Sequence, residues 1–375
     1  MRNYAIMHLN ESAAIISETG LCTISRPDLL PYNLHLDTSH NDCIDVRTWN
    51  LANFHHWCSA RLLALDRKYA KEILNSLGLK QAITDKERAE IAISYHALSL
   101  TDVYWIRETQ ESVCFEDINL YDHPMSDVFA GVSLCGQALS IEKIQTLSQY
   151  DIAGDLSTLG IAPKAWLHRN KGFLLLKGGS PKEVEAELLA SQFARCFDID
   201  QVLYEPLEYE GQQVSQCKLI TSKEQGIVSA RLVSVYAENH GSSLYDIIEK
   251  HDSYNFHMMN IIDYLVGNTD RHLENWGFWV NNKTNSLETL HPLMDFNHAF
   301  HAYDTIDGAL CQTTRKPISQ KDAAIIGVQT VGFRMIHNFP GNLSSQFRKA
   351  NALFEMPLDI MFQKRLALLK TNSRQ

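Results

Sequence analysis

The sequence predicts an α+β fold with a small β-rich lobe, a larger helical lobe and an additional N-terminal α/β subdomain. An apolar strand at 172–177 ends in a lysine and runs directly into a helix, which predicts a mixed unit of strands and helix. An apolar helix that ends near residue 267 is followed by a polar loop and a hairpin, which predicts a second, mainly helical unit. The 375 residues are enough for two or three domains that each bury a core.

Local composition sets the predicted boundaries of these three parts. Residues 1–145 form the N-terminal subdomain, in which short apolar strands precede helices, among them one at 85–100 with Asp85 as its cap. A polar stretch with scattered aliphatic residues separates this subdomain from the small lobe, residues 146–226. Residues 227–375 form the large lobe. No residue pattern within the N-terminal subdomain indicates a chemistry.

Charge and cysteine usage exclude several classes of protein. The chain has 44 acidic and 34 basic residues, a formal net charge of −10, which argues against direct nucleic-acid binding because phosphate neutralisation needs a basic surface. The eight cysteines are scattered without a C-x-x-C pair, so neither a disulfide framework nor a zinc site is indicated. No apolar run reaches the roughly 18 residues of a membrane span. These features predict a cytoplasmic protein that does not bind a membrane.

A loop of small residues at 154–166 opens the small lobe. It lacks the G-x-x-x-x-G-K-[ST] pattern, and a strand rather than a helix follows it, so it is not a P-loop. Its small and polar residues still allow a backbone to approach phosphate groups closely. The candidate nucleotide contacts in this loop are Ser157, Thr158, Gly160 and Lys164.

The next element is the apolar strand that ends in Lys177. A lysine on such a strand needs a partner or an exposed position at the strand end. Ser180-Pro-Lys-Glu183 is a capping box with proline at the first helical position, so a helix begins there. Because Glu183 reaches back to the cap, Glu185 or Glu187 remains as the partner of the lysine.

The stretch 261–300 carries the strongest functional signal. A helix ends at Gly267, and the loop after it contains Asp270 and Asn275 before a predicted hairpin that leads to Asp295. Phosphoryl transfer requires an aspartate at the acceptor hydroxyl and oxygen ligands for Mg²⁺, which takes only one or two protein carboxylates. The pattern therefore predicts Asp270 as the catalytic base, with Asn275 and Asp295 as Mg²⁺ ligands. The alternative is a helix-capping loop with ordinary surface carboxylates.

These residues carry a resemblance to a known family. Asn268-x-Asp270-x-His272-x-x-Asn275, followed by Asp295-Phe-Asn, resembles the catalytic loop and metal-binding motif of HipA-like serine/threonine kinases, the toxin kinases of bacterial persistence modules. The D-R-H-x-x-N segment is also similar to the loop of phosphatidylinositol kinases. Asn297 departs from the Asp-Phe-Gly motif of eukaryotic protein kinases.

The resemblance implies a bilobal protein-kinase-like fold and a function. It implies ATP and Mg²⁺ as cofactors, a protein substrate with a serine or threonine acceptor, and an antitoxin as a candidate partner. It selects Glu187 as the residue that pairs with Lys177, and it implies that Ser157 or Thr158 can be autophosphorylated. Two alternatives stay open: a lipid or small-molecule kinase, and a nucleotide-binding toxin or regulatory module with little catalysis.

Overall fold

The computed structural model describes residues 2–79, 82–123, 125–158, 160–169, 172–339 and 343–373. The strands are β1 (Asn3–His8), β2 (Glu11–Ser17), β3 (Cys22–Ile24), β4 (Tyr104–Glu108), β5 (Lys164–Arg169), β6 (Gly172–Lys177), β7 (Glu205–Tyr209), β8 (Gln212–Lys218), β9 (Gln225–Ser229), β10 (Gly277–Asn281) and β11 (Ser286–Leu290). The helices are α1 (Ile44–Ser59), α2 (Ala70–Ser76), α3 (Asp85–Ser94), α4 (Phe115–Ile118), α5 (Ala130–Cys135), α6 (Ile141–Gln145), α7 (Gln149–Leu156), α8 (Pro181–Ala194), α9 (Ala230–Asn239), α10 (Leu244–His251), α11 (Ser253–Val266), α12 (Gln320–Val331), α13 (Leu343–Phe354) and α14 (Leu358–Asn372). Strands β9 to β11 form a sheet in the order β11-β10-β9.

The chain divides into two compact units. The first contains Met1–Lys177, Leu219–Ile227 and Val280–Ser286, and the second contains the remaining segments, Gly178–Lys218, Val228–Trp279 and Leu287–Gln375. The predicted lobe boundaries after residues 145 and 226 stay predictions. Over the described residues, no helix has the length and apolar character that crossing a membrane requires.

The first unit is built around an antiparallel sheet with the strand order β3-β2-β1-β4. Successive side chains of a strand point to opposite faces. Ile6 of β1 accordingly packs in one apolar cluster with Phe54 of α1, while Met7 packs in another with Trp105 of β4. Because both faces of the sheet are covered, the central residues of β1 and β2 are apolar, and the prediction of short strands at the chain start is confirmed.

Helix α3 corrects one prediction made from the sequence. The helix ends at Ser94 rather than at residue 100, because His96 and Ala97 adopt left-handed backbone conformations with φ of 57° and 50°. Its N-cap is Thr84, whose hydroxyl accepts a hydrogen bond from the backbone N–H of Glu87, and not Asp85. Apolar periodicity alone does not mark such an end, since the residues that follow remain buried after the helix stops.

The second unit is mainly helical, with β7 and β8 paired as an antiparallel hairpin. Its core is rich in phenylalanine. Phe193 of α8 stacks on Phe362 of α14 and Phe347 of α13, with ring centroids 4.6 and 5.1 Å apart, and meets Phe300 edge to face at 6.5 Å. Each edge-to-face or offset contact of this kind stabilises the fold by roughly 0.5–1.5 kcal/mol beyond the contribution of the apolar area that it buries. This core fixes α8 and the segment around residue 300 within the same unit.

A buried histidine after β11 makes the second unit sensitive to acid. The His291 side chain is 7% exposed, its Nδ1–H donates to the carbonyl of Pro292 at 2.9 Å, and burial lowers its pKa to about 4. An unfolded histidine titrates near 6.5, so between pH 6.5 and 4 the unfolded chain binds a proton that the folded chain does not. Stability is therefore retained above pH 6.5 and lost as the pH falls through this window.

We expect the free energy of unfolding of the unmodified protein to fall by about 2 kcal/mol more than that of His291→Asn between pH 7 and pH 4.5. Urea denaturation at the two pH values measures the difference, and asparagine keeps an N–H donor for the Pro292 carbonyl. The same loss in both proteins would show that His291 takes up its proton as readily in the folded state as in the unfolded chain.

Candidate active site

The candidate catalytic loop follows directly after helix α11. The Asp252 side chain caps the start of this helix by accepting from the backbone N–H of Asn255 at 3.0 Å. Its last residue is Val266, and Gly267 follows with φ of 62°, the left-handed conformation that favours glycine at this position. The buried apolar run of the helix and its end at Gly267 are as the sequence predicts.

Within the loop, Asp270 and Asn275 are held together. The Asn275 Nδ2 donates to the Asp270 carbonyl at 2.7 Å and to its Oδ2 at 3.2 Å. The Asp270 backbone N–H donates to Asn268 Oδ1 at 3.2 Å, and His272 Nε2 lies 3.7 Å from Asp270 Oδ1. Because the amide nitrogen of Asn275 faces Asp270, its oxygen is the atom that remains for a cation. Both side chains are half-buried and so remain accessible to a ligand.

The loop 268–275 is hydrogen-bonded to the segment 294–298. The Asn268 Nδ2 donates to the Asp295 carbonyl at 3.5 Å, and the Thr269 N–H donates to the His298 carbonyl at 3.3 Å. Asp295 itself has φ of 63°, a strained conformation for a residue other than glycine that aspartate tolerates better than most. Two motifs that the sequence separates by some twenty residues thus meet within the second unit.

Arg271 makes one of the bonds that join these two segments and also ties the loop to α11, although the sequence assigns it no role. Its Nη1 donates to the carbonyls of Asn275 at 2.8 Å and Met294 at 2.5 Å. Its Nε and Nη2 form a two-bond ion pair with Asp263 of α11, at 2.9 and 3.0 Å. Burial by itself lowers the pKa of the Arg271 guanidinium, but the Asp263 carboxylate raises it above its ordinary value. The signal in the sequence was Asp263, a carboxylate on an otherwise apolar helix that needs a buried cation.

Helix α8 has the predicted capping box. The Ser180 hydroxyl accepts from the Glu183 N–H at 3.3 Å, and Glu183 Oε2 accepts from the Ser180 N–H at 2.6 Å. Glu185 pairs with Lys349 of α13 at 2.6 Å. Glu187 is 2% exposed and accepts from the Ser215 hydroxyl of β8 at 2.5 Å. Of the two glutamates left open by the sequence, Glu185 therefore pairs with Lys349, and Glu187 is the more deeply buried one.

The candidate phosphate-binding lysines lie side by side in the first unit. Lys164 and Lys177 are directly paired residues of the β5–β6 hairpin, so their side chains leave the same face of the two strands. The Lys164 Nζ lies against Gly160, whose φ of 97° is a conformation that glycine adopts freely. Lys177 is 4% exposed at the end of its strand, the position that the sequence predicts. The structure thus brings Gly160 and both lysines together.

The predicted loop at 154–166 begins later than expected. Residues 154–156 are the last residues of α7, so the loop starts at Ser157, and Leu159 lies outside the described residues. Both hydroxyl candidates are buried: Ser157 and Thr158 donate to the Gly154 carbonyl at 3.2 and 2.8 Å. Either hydroxyl would have to break its hydrogen bond to the Gly154 carbonyl before it could accept a phosphoryl group or contact a nucleotide. Both roles stay predictions.

The donor set of the second unit suits a hard cation. Asp295 offers carboxylate oxygens and Asn275 an amide oxygen, the ligand types that Mg²⁺ prefers. Asn297, in the same motif as Asp295, has a buried Oδ1 with no hydrogen-bond partner, an acceptor that a cation or its water would satisfy. Over the described residues no cluster of three or more His, Cys, Asp or Glu side chains is arranged to hold a metal. Mg²⁺ does not require such a cluster, because it keeps several waters.

Comparison with solved structures identifies the fold. A chain of the Shewanella oneidensis MR-1 toxin–antitoxin complex of HipA, HipB and operator DNA matches with 11% sequence identity and a TM-score of 0.50, over 98% of this chain and 94% of that chain. The Helicobacter pylori proinflammatory kinase CtkA matches with 15% identity and a TM-score of 0.43, over 56% of this chain and 90% of that chain. No protein-family model and no curated protein sequence matches the chain. The HipA similarity confirms the predicted α+β kinase-like fold, and at this identity it shows the fold alone.

Proposed function

We propose that this protein is an ATP- and Mg²⁺-dependent kinase that transfers a phosphoryl group to a serine or threonine of a protein substrate. The observation that carries the proposal is the hydrogen-bonded junction between the loop 268–275 and the segment 294–298. Phosphoryl transfer depends on positioning and on electrostatic stabilisation rather than on covalent chemistry by the protein. A junction that fixes a base and two metal-type oxygen donors relative to one another suits that requirement.

In this proposal Asp270 orients the acceptor hydroxyl and receives its proton. The Asn275 oxygen and the Asp295 carboxylate hold Mg²⁺, which, when bound, neutralises charge on the transferred phosphoryl group. The Asn275 amide nitrogen donates a hydrogen bond to the Asp270 carboxylate while the amide oxygen would bind Mg²⁺, so one side chain would orient both the base and the cation. His272 and Asn268 hold the loop through their contacts with Asp270.

The lysines and the buried glutamate complete the proposal on the nucleotide side. Lys177 binds the α- and β-phosphates of ATP and is held by Glu187, as the HipA-like resemblance implies. Lys164 and Gly160 contribute further contacts, since Lys164 is the cross-strand neighbour of Lys177. A polyphosphate carries the opposite charge to the two lysine ammonium groups on this face of the hairpin and is attracted to both.

Partners and location belong to the same proposal. The matched Shewanella structure contains HipB and operator DNA. By analogy, an antitoxin-like protein is a candidate partner of this chain in the cytoplasm. Its net charge of −10 argues against direct contact with nucleic acid.

The decisive test compares the unmodified protein with Asp270→Ala. We expect incubation with Mg²⁺ and γ-labelled ATP, alone and with a bacterial lysate, to label serine or threonine of protein, and Asp270→Ala to reduce the labelling by about a hundredfold or more. Phosphopeptide mass spectrometry identifies the acceptor. The matched control is Glu274→Gln, which changes an exposed carboxylate in the same loop and should label like the unmodified protein.

Three results would contradict the proposal in different ways. Equal ADP release by the unmodified protein and Asp270→Ala would remove the catalytic assignment. Label on an inositol lipid but never on protein would favour the lipid-kinase alternative. Nucleotide binding without any transfer would favour a regulatory module.

A further inference from the structure

Arg67 is a fully buried arginine of the N-terminal region that binds both ends of the loop between α7 and β5. Its side chain has no exposed surface. The Nη1 donates to the carbonyls of Thr158 at 3.1 Å and Asp155 at 3.5 Å, and the Nη2 donates to the carbonyl of Lys164. One guanidinium thus connects Thr158, near the start of the loop, to Lys164, the first residue of β5.

The charge of Arg67 is balanced within the same region. The Asp155 Oδ1 lies 3.9 Å from the guanidinium and accepts from the Ser133 hydroxyl of α5 at 2.8 Å. Burial lowers the pKa of Arg67 and raises the pKa of Asp155, so each group depends on the other to stay charged. Removing one member of such a buried pair leaves an uncompensated charge, which is strongly unfavourable.

Two backbone hydrogen bonds attach the loop to the same stretch of chain. The Leu63 N–H donates to the Leu156 carbonyl at 2.6 Å, and the Lys68 N–H donates to the Ile161 carbonyl at 3.0 Å. Leu156 also packs in an apolar cluster with Leu63. The stretch 63–68 therefore contacts the chain on both sides of Gly160, at the end of α7 and at Ile161.

We propose that Arg67 is a positioning residue for this loop, and that holding the loop in place is one role of the N-terminal region. The nucleotide part of this inference rests on the function proposed above, whereas the loop attachment does not. Arginine suits the task because its planar guanidinium carries donors that point in several directions at once. A lysine ammonium keeps the charge, but as a compact point charge it cannot bond to both Thr158 and Lys164 from the same position.

The test compares Arg67→Lys with Arg61→Lys. Arg61 is a matched control because its side chain is also largely buried and donates to carbonyls and to a carboxylate, all within residues 97–104. Amide hydrogen exchange of peptides covering 155–168 reports loop attachment, and titration with ATP and Mg²⁺ reports affinity. We expect Arg67→Lys to raise loop exchange rates about tenfold and to weaken ATP binding about tenfold, with turnover at saturating ATP within about twofold of the unmodified protein. Arg61→Lys should leave loop exchange unchanged.

The outcomes separate this inference from the proposed function. Unchanged loop exchange in Arg67→Lys, or an equal rise in both variants, would overturn the positioning role. Faster loop exchange with unchanged ATP affinity would overturn its link to nucleotide. If the unmodified protein binds no ATP, the proposed function fails, and the exchange data still decide whether Arg67 holds the loop.

Discussion

Replacing Arg271 with alanine is expected to lower the free energy of unfolding by about 3–5 kcal/mol, because it leaves the Asp263 carboxylate buried without its cation. The Asp263 side chain is only 5% exposed, so water cannot replace the two lost bonds. The carbonyls of Asn275 and Met294 lose their donor at the same time.

The expected effect on activity follows from where those carbonyls lie. Met294 directly precedes Asp295, and Asn275 is the proposed amide ligand, so Arg271 holds the two proposed Mg²⁺ ligands at a fixed separation. Loss of that separation should raise the Mg²⁺ concentration needed for half-maximal labelling more than it raises the KM for ATP. Misplacement by about 1 Å costs on the order of a hundredfold in rate.

Urea denaturation and Mg²⁺ titration of Arg271→Ala measure both effects at a temperature where the variant is folded. Arg271 lies over the ring of Phe296, 5.2 Å from its centroid. Arg315→Ala is the matched control, because that guanidinium lies over the ring of Tyr245, 4.8 Å from its centroid, but is exposed. We expect the control to lose less than about 1 kcal/mol. An Arg271→Ala protein with unchanged stability and unchanged Mg²⁺ dependence would show that the ion pair is dispensable.

Gly154 is a residue for which the local sequence pattern predicts the wrong structure. The sequence places this glycine in a loop, yet it lies in α7, where a Cβ would collide with the Met125 side chain. Glycine there lets the Met125 side chain pack closely and does not form a turn, and this neighbour lies almost thirty positions away in the sequence. Local composition cannot separate these two uses of glycine.

Some features of the candidate site could be predicted from local sequence, and others depend on residues that are distant in the sequence. The end of α11 at Gly267 and the capping box at Ser180 were predictable, because caps depend on residues within one helical turn. The bonds of Arg271 were not, because its partners Asp263 and Met294 lie eight and twenty-three residues away. Periodicity and motif spacing identify which groups the chemistry needs, whereas tertiary contacts decide what holds them in place.

Replacing Arg365 with methionine is expected to destabilise the second unit by about 3 kcal/mol or more. Arg365 of α14 has no exposed surface and donates to the carbonyls of Tyr264 at 2.6 Å, Thr305 at 2.8 Å and Ala302. Each buried carbonyl left without a donor costs about 1–3 kcal/mol. Tyr264 lies in the last turn of α11, where helix carbonyls lack a partner within the helix and a cation is favourable.

Aromatic rings enclose the same guanidinium, which lies 4.8 Å from the centroid of Tyr264 and 4.4 Å from that of Tyr303. Burial lowers the pKa of Arg365, and the neighbouring Tyr303, Tyr264 and Asp304 oppose this shift. The matched control is Lys364→Met, an exposed neighbour on the same helix, which should change stability by less than about 0.5 kcal/mol. Thermal and urea unfolding of both variants measure the difference, and equal stability would show that the carbonyls find other donors. Since α11 leads directly into the loop of Asp270, we also expect Arg365→Met to lose labelling activity at a lower temperature than Lys364→Met, before either protein unfolds globally.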